Sequence, residues 1–190
     1  YTVPVSELPG ARGDGSPLTS FVNLAAGSQM VAYYAGQADD LVLLSTKAGY
    51  GFLANVADMS TRNKAGKSFI SIDAKVAGDA PLGAAKVEVG MKQVACLSAA
   101  SKLLVFPLDE LKRLPTGGKG VILMGLDDKE FMSSAIAVGP NGATYSGAGR
   151  AGKPTELSLD AKTLKSFAGN RARKGHFVEP RLKDGKLKAN

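Results

Sequence analysis

Short apolar runs with a period of two dominate this chain, and helical periodicity is nearly absent. An apolar run over 41–46 is followed by a turn at 47–49, a second run over 50–56 and, after a basic turn, a third over 67–72. The same order returns in VACLS, KLLVFPL and KGVILMGL between 94 and 126. VADMSTRN, LDELKRL and DAKTLKSF are each long enough for only one or two helical turns. This pattern predicts an all-β fold.

A basic turn ending in glycine recurs along the chain at a nearly constant interval. Aligned on Gly15, Gly66, Gly120 and Gly175, the copies are 51, 54 and 55 residues apart. A second landmark upstream keeps the same interval: Glu7-Leu8, Asp58-Met59, Glu110-Leu111 and Thr163-Leu164. Two landmarks that move together predict one unit used about four times. We expect a single repeat domain over 1–190, with a partial blade at 1–24 and repeats at 25–75, 76–128 and 129–190, as a fragment of a longer chain.

Each repeat has the size of one propeller blade. Three or four strands and a helical turn in roughly 50 residues match a radially repeated β architecture. We therefore predict a propeller-like fold of about four blades, as either a closed ring or an open arc. The glycine-rich stretch 139–154 predicts a longer hairpin in the last repeat.

The net charge of +7 and the pI near 9.5 indicate a polyanionic partner or a membrane surface. All of the excess lies within 162–190, where nine Lys and Arg face two acids. In the middle repeats the basic residues stand beside the repeated glycine, which favours a binding surface. The predicted contact residues are Arg12, Arg62, Lys64, Lys67, Lys119, Arg171, Arg173 and Lys174.

Two nucleotide-binding patterns occur in the sequence, but their context argues against them. GAGRAG at 147–152 satisfies GxGxxG, yet Pro154 follows and no helix pattern comes after it. TRNKAGKS at 61–68 resembles a phosphate loop without its first glycine, and it precedes a β-type run. We interpret the latter as an exposed turn that offers charges to a phosphate backbone.

The residues that catalysis or metal binding would need are scarce. His176 is the only histidine, and Cys96 is the only cysteine and lies in an apolar run. No paired carboxylates stand out, and His and Cys are too few for a metal site. We expect no catalytic residue, no metal and no cofactor.

Three segments resemble the C-terminal domain of the A subunit of bacterial type IIA topoisomerases, and topoisomerase IV more closely than gyrase. The first segment, 50–72, matches the sequence motif of that family's blade at Gly51-Phe52, Asp58-Met59, Arg62, Lys64, Ala65, Gly66 and Lys67. The stretches 101–124 and 167–182 are similar to further repeats of the same protein family.

The resemblance implies a β-pinwheel, whose blades exchange strands, with duplex DNA along its basic outer rim. The gyrase box QxxxGG[RK]G is degenerate at 114–120, LPTGGKG, which favours topoisomerase IV over gyrase-type wrapping. The family's catalytic tyrosine follows an arginine, and none of the five tyrosines here does. The resemblance also implies two partners in the bacterial cytoplasm, the ATPase B subunit of the enzyme plus a second copy of the A subunit.

We therefore predict a non-catalytic domain that binds and bends duplex DNA and positions it for strand passage. A gyrase-type wrapping domain and a protein-binding β-propeller are the alternatives. Recurring basic turns suit phosphates better than a peptide groove, and the chain has no Trp. An enzyme on a propeller scaffold ranks below these hypotheses because a catalytic set is missing.

Overall fold

The computed structural model describes residues 1–10 and 12–190. Its strands are β1 Leu41–Ser45, β2 Tyr50–Asn55, β3 Ala85–Lys86, β4 Gln93–Ser98, β5 Lys102–Pro107, β6 Val121–Ile122, β7 Met132–Val138, β8 Ala143–Ala148, β9 Pro154–Leu159, β10 His176–Phe177 and β11 Lys183–Ala189. The helices are α1 Val56–Met59 and α2 Ala161–Lys165, with 3-10 turns at Val5–Glu7, Leu18–Ser20, Leu108–Glu110 and Arg150–Gly152. The predicted all-β class and the three short helical turns are confirmed.

The strands form three sheets, ordered β3-β1-β2-β6, β7-β4-β5-β10 and β11-β8-β9. Each sheet is built on an antiparallel hairpin, and corresponding strands start at Tyr50, Lys102 and Pro154. In the first two sheets the hairpin is flanked on one side by a strand that precedes the next hairpin, β3 or β7, and in the third sheet by β11. On the other side, β6 and β10 reach back from beyond the next hairpin to pair with β2 and β5. This exchange of strands between successive repeats is the arrangement of a β-pinwheel.

The two flanks of each sheet lie on opposite sides of the molecule. Strand β7 packs against β11 and β3 across the sheet boundaries, so these three strands form the inner side. Strands β6 and β10 form the opposite, outer edges of their sheets. Over the described residues the sheets do not close into a ring, and the fold is an open arc.

The hydrophobic core lies mainly between neighbouring sheets. Leu53 of the first sheet packs with Cys96 and Phe106 of the second, and none of the three is more than 5% exposed. The next interface contains the buried Leu103 and Tyr145. Since burial of apolar surface is the main favourable term in folding, each sheet depends on its neighbours for stability.

One predicted strand is missing, and a basic segment that was not predicted as a strand forms one. The run 67–72 forms only an isolated bridge, between Ile70 and Gly118. Its counterparts β6 and β10 pair with a preceding hairpin, but the described part of 1–40 contains no strand that could receive it. The basic segment Lys183–Ala189, in contrast, is an ordered strand, β11, paired with β8.

Candidate nucleic-acid interface

The repeated glycines share a left-handed backbone conformation. Their φ angles are 78° at Gly15, 80° at Gly66, 77° at Gly120 and 71° at Gly175. A Cβ atom would lie 2.2 Å from the carbonyl oxygen of Gly51 at position 120 and 2.4 Å from that of Leu103 at position 175. Gly51 and Leu103 are corresponding residues of β2 and β5, so these two turns are equivalent. The glycine is required by both its φ angle and the close approach of the two backbones.

Backbone hydrogen bonds connect each basic turn to the chain that follows the preceding one. Gly118 N donates to Phe69 O at 2.8 Å, and Ser71 N donates to Gly118 O at 2.9 Å. We call each such connection between successive repeats a joint. At the next joint, Gly125 N donates to Arg173 O at 3.0 Å. The turns at 62–67, 117–120 and 171–175 therefore follow one another along the outer edge of the arc.

Most of the predicted contact residues are exposed. Arg12, Arg62, Lys64, Lys67, Lys119, Arg173 and Lys174 are exposed, and Arg171 is half-buried. Across residues 1–10 and 12–190, Arg12, Arg62, Lys64 and Arg173 make no ion pair. Lys67 Nζ donates to the Asp58 carbonyl oxygen at 2.7 Å. In the described structure no hydrogen bond or ion pair joins Arg12 to the other seven.

The other three cations are paired with acids. Lys119 Nζ donates to Asp73 Oδ2 at 2.8 Å, and Lys174 Nζ donates to Asp127 Oδ1. The remaining cation is Arg171, which is fixed to the second repeat. Its Nη1 donates to Ile122 O at 2.5 Å, and its Nε lies 3.7 Å from Glu110 Oε2.

Two of these acids, Asp73 and Asp127, have a lowered pKa. Hydrogen bonds from Lys102 and then Lys174 lower the pKa of Asp127 from 3.8 to about 2. A hydrogen bond from Lys119 likewise lowers the pKa of Asp73. Neither acid was predicted as part of the site, although each lies seven residues after a repeated glycine, and this interval could have identified them.

The basic C-terminal segment is divided between the two sides of the arc. Arg171, Arg173 and Lys174 lie on the outer turn, whereas Lys183, Lys186 and Lys188 are exposed on β11. Because β11 belongs to the inner side, its lysines lie away from the basic turns of the outer edge. The net charge of 162–190 is therefore not one surface.

The other candidate motifs lie at the β8–β9 connection, on the outer strand β10 and in the buried strand β4. GAGRAG at 147–152 spans the connection between β8 and β9, so no nucleotide-binding helix follows it. His176 is exposed on β10, and Cys96 is buried, which raises the pKa of its thiol. The longest helix in the described ranges has five residues, and none could cross a membrane.

Comparison with known proteins matches the same repeats. The family model described as DNA gyrase C-terminal domain, beta-propeller, matches residues 40–78 and 92–138, each of which contains a hairpin and a basic turn. The A subunit of DNA topoisomerase 4 from Neisseria gonorrhoeae is 31% identical over 91% of the chain, and that from Pseudomonas aeruginosa is 33% identical over 93%. The chain spans only 23% of the length of each of these relatives.

Solved structures show the same fold. The C-terminal domain of Escherichia coli ParC superposes with a TM-score of 0.78 at 23% identity, covering 95% of this chain and 73% of that one. A DNA gyrase A C-terminal domain superposes with a TM-score of 0.67 at 18% identity, covering 85% of this chain and 52% of the other. With its exchanged strands and its recurring basic turns, the chain belongs to the family of β-pinwheel C-terminal domains of bacterial topoisomerase IV and gyrase A subunits.

Proposed function

We propose that this chain is a non-catalytic DNA-binding domain that holds and bends duplex DNA along the outer edge of the arc. The observation that carries the proposal is the succession of basic turns at 62–67, 117–120 and 171–175. The first and the last of them bear exposed Arg62, Lys64 and Arg173, which have no acidic partners in the described structure. Cations on an exposed edge neutralise phosphates and release condensed counterions. A curved row of such cations favours a curved duplex.

The binding is proposed to be tolerant of sequence. The longest of the described helices has five residues, too short to lie in a major groove and read base edges. Arg and Lys contacts to phosphates position a duplex but carry no direct sequence information. The interaction requires no cofactor, because phosphate neutralisation is its only chemistry.

The relatives of this chain suggest the larger setting. They are A subunits of topoisomerase 4, of which the chain would form the C-terminal part. We propose that it presents a transport segment to a cleavage core elsewhere in the same polypeptide, which works as a dimer with the ATPase B subunit in the bacterial cytoplasm. In this arrangement the catalytic tyrosine lies outside the domain.

A titration with duplex DNA at several salt concentrations tests the proposal. Four exposed cations on the outer turns have no acidic partner in the described structure, namely Arg62, Lys64, Lys67 and Arg173. They predict that log affinity falls with log salt with a slope of about −3 to −4. Two duplexes of unrelated sequence should give the same slope and similar affinity. Energy transfer between dyes at the two ends of a short duplex should increase on binding if the duplex bends. Binding without salt dependence, or to one sequence only, would refute phosphate-based recognition.

A further inference from the structure

The same ion pair occurs at two successive joints of the arc. Lys119 Nζ donates to Asp73 Oδ2 at 2.8 Å, and Lys174 Nζ donates to Asp127 Oδ1. Each lysine directly precedes a repeated glycine, and each aspartate lies seven residues after the glycine of the preceding repeat. The two pairs are therefore equivalent, and each connects a basic turn to the chain that leaves the turn before it.

The aspartates are held in position by their own loops. Asp73 N donates to Asp79 Oδ2 at 2.8 Å, and Asp127 N donates to Glu130 Oε2 at 2.9 Å. Asp127 Oδ2 also accepts a hydrogen bond from Lys102 Nζ. Because hydrogen bonds from lysine lower the pKa of both aspartates, both are charged at neutral pH.

Stabilisation of the fold is a weak explanation for these pairs. The side chains of Lys119 and Lys174 are 42% and 62% exposed. Ion pairs that exposed to water contribute little to stability. The ion pairs affect the binding of an anionic ligand more than they affect stability. Each carboxylate holds an ammonium group that a phosphate would otherwise contact, and its negative charge repels that phosphate.

We infer that Asp73 and Asp127 limit the affinity of the outer edge for DNA by holding Lys119 and Lys174 in ion pairs. This inference rests on the proposed DNA-binding function. A phosphate that approaches either lysine must displace a carboxylate, whereas a phosphate that approaches Arg62, Lys64 or Arg173 displaces only water and counterions. The outer edge then offers strong phosphate contacts at the unpaired cations and weaker ones at Lys119 and Lys174. Bound DNA can therefore still dissociate and be replaced.

The test replaces both acids in the intact chain and measures duplex binding. The variant Asp73→Asn/Asp127→Asn keeps the size and the hydrogen-bonding oxygen of each side chain but removes its charge. Asp39→Asn/Asp128→Asn is the matched control, because it removes the same charge from two exposed aspartates that neighbour ion-paired ones. If two lysines gain phosphate contacts, the salt slope should steepen by about 1 to 2 and affinity at 0.1 M salt should rise roughly five- to fiftyfold.

A third variant separates freed lysines from a general change in charge. Adding Lys119→Gln and Lys174→Gln to the first variant should abolish the gain in affinity and return the salt slope to that of the parent. The inference is overturned if the control gains as much as Asp73→Asn/Asp127→Asn, or if the gain survives loss of the lysines. A parent chain that binds no duplex refutes the proposed function and this inference together, whereas a parent that binds as tightly as Asp73→Asn/Asp127→Asn refutes the inference alone.

Discussion

Gly120 lies where the outer strand of one sheet approaches the hairpin of the preceding repeat. Its φ of 77° is a conformation that residues with a Cβ atom rarely adopt, and a Cβ there would lie 2.2 Å from the carbonyl oxygen of Gly51. Gly15 has nearly the same φ, 78°, but open space around it. The two glycines therefore separate the cost of the backbone conformation from the cost of the close contact.

We expect Gly120→Ala to lower the free energy of unfolding by more than 2 kcal/mol, roughly, because strain at positive φ is added to a backbone clash. Gly15→Ala should lower it by only about 1 kcal/mol, the conformational part alone. Urea unfolding followed by circular dichroism measures both values. Equal losses at the two positions would show that the approach to Gly51 does not constrain the joint.

At the scale of elements, the hairpins follow from local sequence and the flanking strands do not. Strands β1, β2, β4 and β5 are apolar runs bounded by turn residues, and the sequence predicts them within a residue or two. Strands β6 and β10 have two residues each and exist only because β2 and β5 lie beside them. The run 67–72 has the same local pattern but no such neighbour, so it is not a strand. Tertiary context decides these cases.

The candidate site, like the strands, was predicted only in part from the sequence. The repeated basic turns identified the outer edge, since a cation beside a regularly spaced glycine can be read from the chain. The acids that neutralise Lys119 and Lys174 were not predicted, because each pair joins residues 46 or 47 positions apart across a joint. The strand that carries Lys186 was not predicted either, because KDGKLKA has too few apolar residues to indicate one.

The contacts of Asp127 should weaken in acid, chiefly the ion pair with Lys102, whose side chain is only 13% exposed. The pKa of Asp127 is lowered from 3.8 to about 2 by Lys102 and Lys174, so the folded state favours the charged carboxylate. Its contribution to stability is present above pH 3.8 and is lost as the pH falls through about 2. We expect the melting temperature of the parent to fall more steeply over this window than that of Asp127→Asn. Asp128→Asn, the exposed neighbour, should follow the parent; a parallel course for all three would contradict the assignment.

At the scale of the whole molecule, the position of the charge matters more than its sum. Lysines on the inner strand β11 and cations on the outer turns contribute equally to the net charge of +7. Only the second group lies on the proposed path of the DNA. Two sets of three cations, one from each side, can therefore be exchanged for alanine with the same change in charge.

Replacing Arg62, Lys64 and Lys67 with alanine should flatten the salt slope of duplex binding by about 2 to 3, because up to three phosphate contacts are lost. Replacing Lys183, Lys186 and Lys188 should reduce affinity much less, since their effect is confined to the long-range field. Binding titrations at three salt concentrations compare the two variants, with melting temperatures near that of the parent as the check on folding. Equal losses would mean that net charge, and not the outer edge, determines affinity.

The boundaries of the sheets do not coincide with the boundaries of the sequence repeats, because β6 and β10 each belong to a sheet whose hairpin lies one repeat earlier. A cut that follows a visible sheet would leave an outer strand on the wrong fragment. Recombination that removes or duplicates one whole period, wherever it starts, joins equivalent positions and recreates a native joint. An interlocked arc of this kind can therefore grow or shrink during evolution only in steps of a full repeat, and each step would change the length of its outer edge by one basic turn.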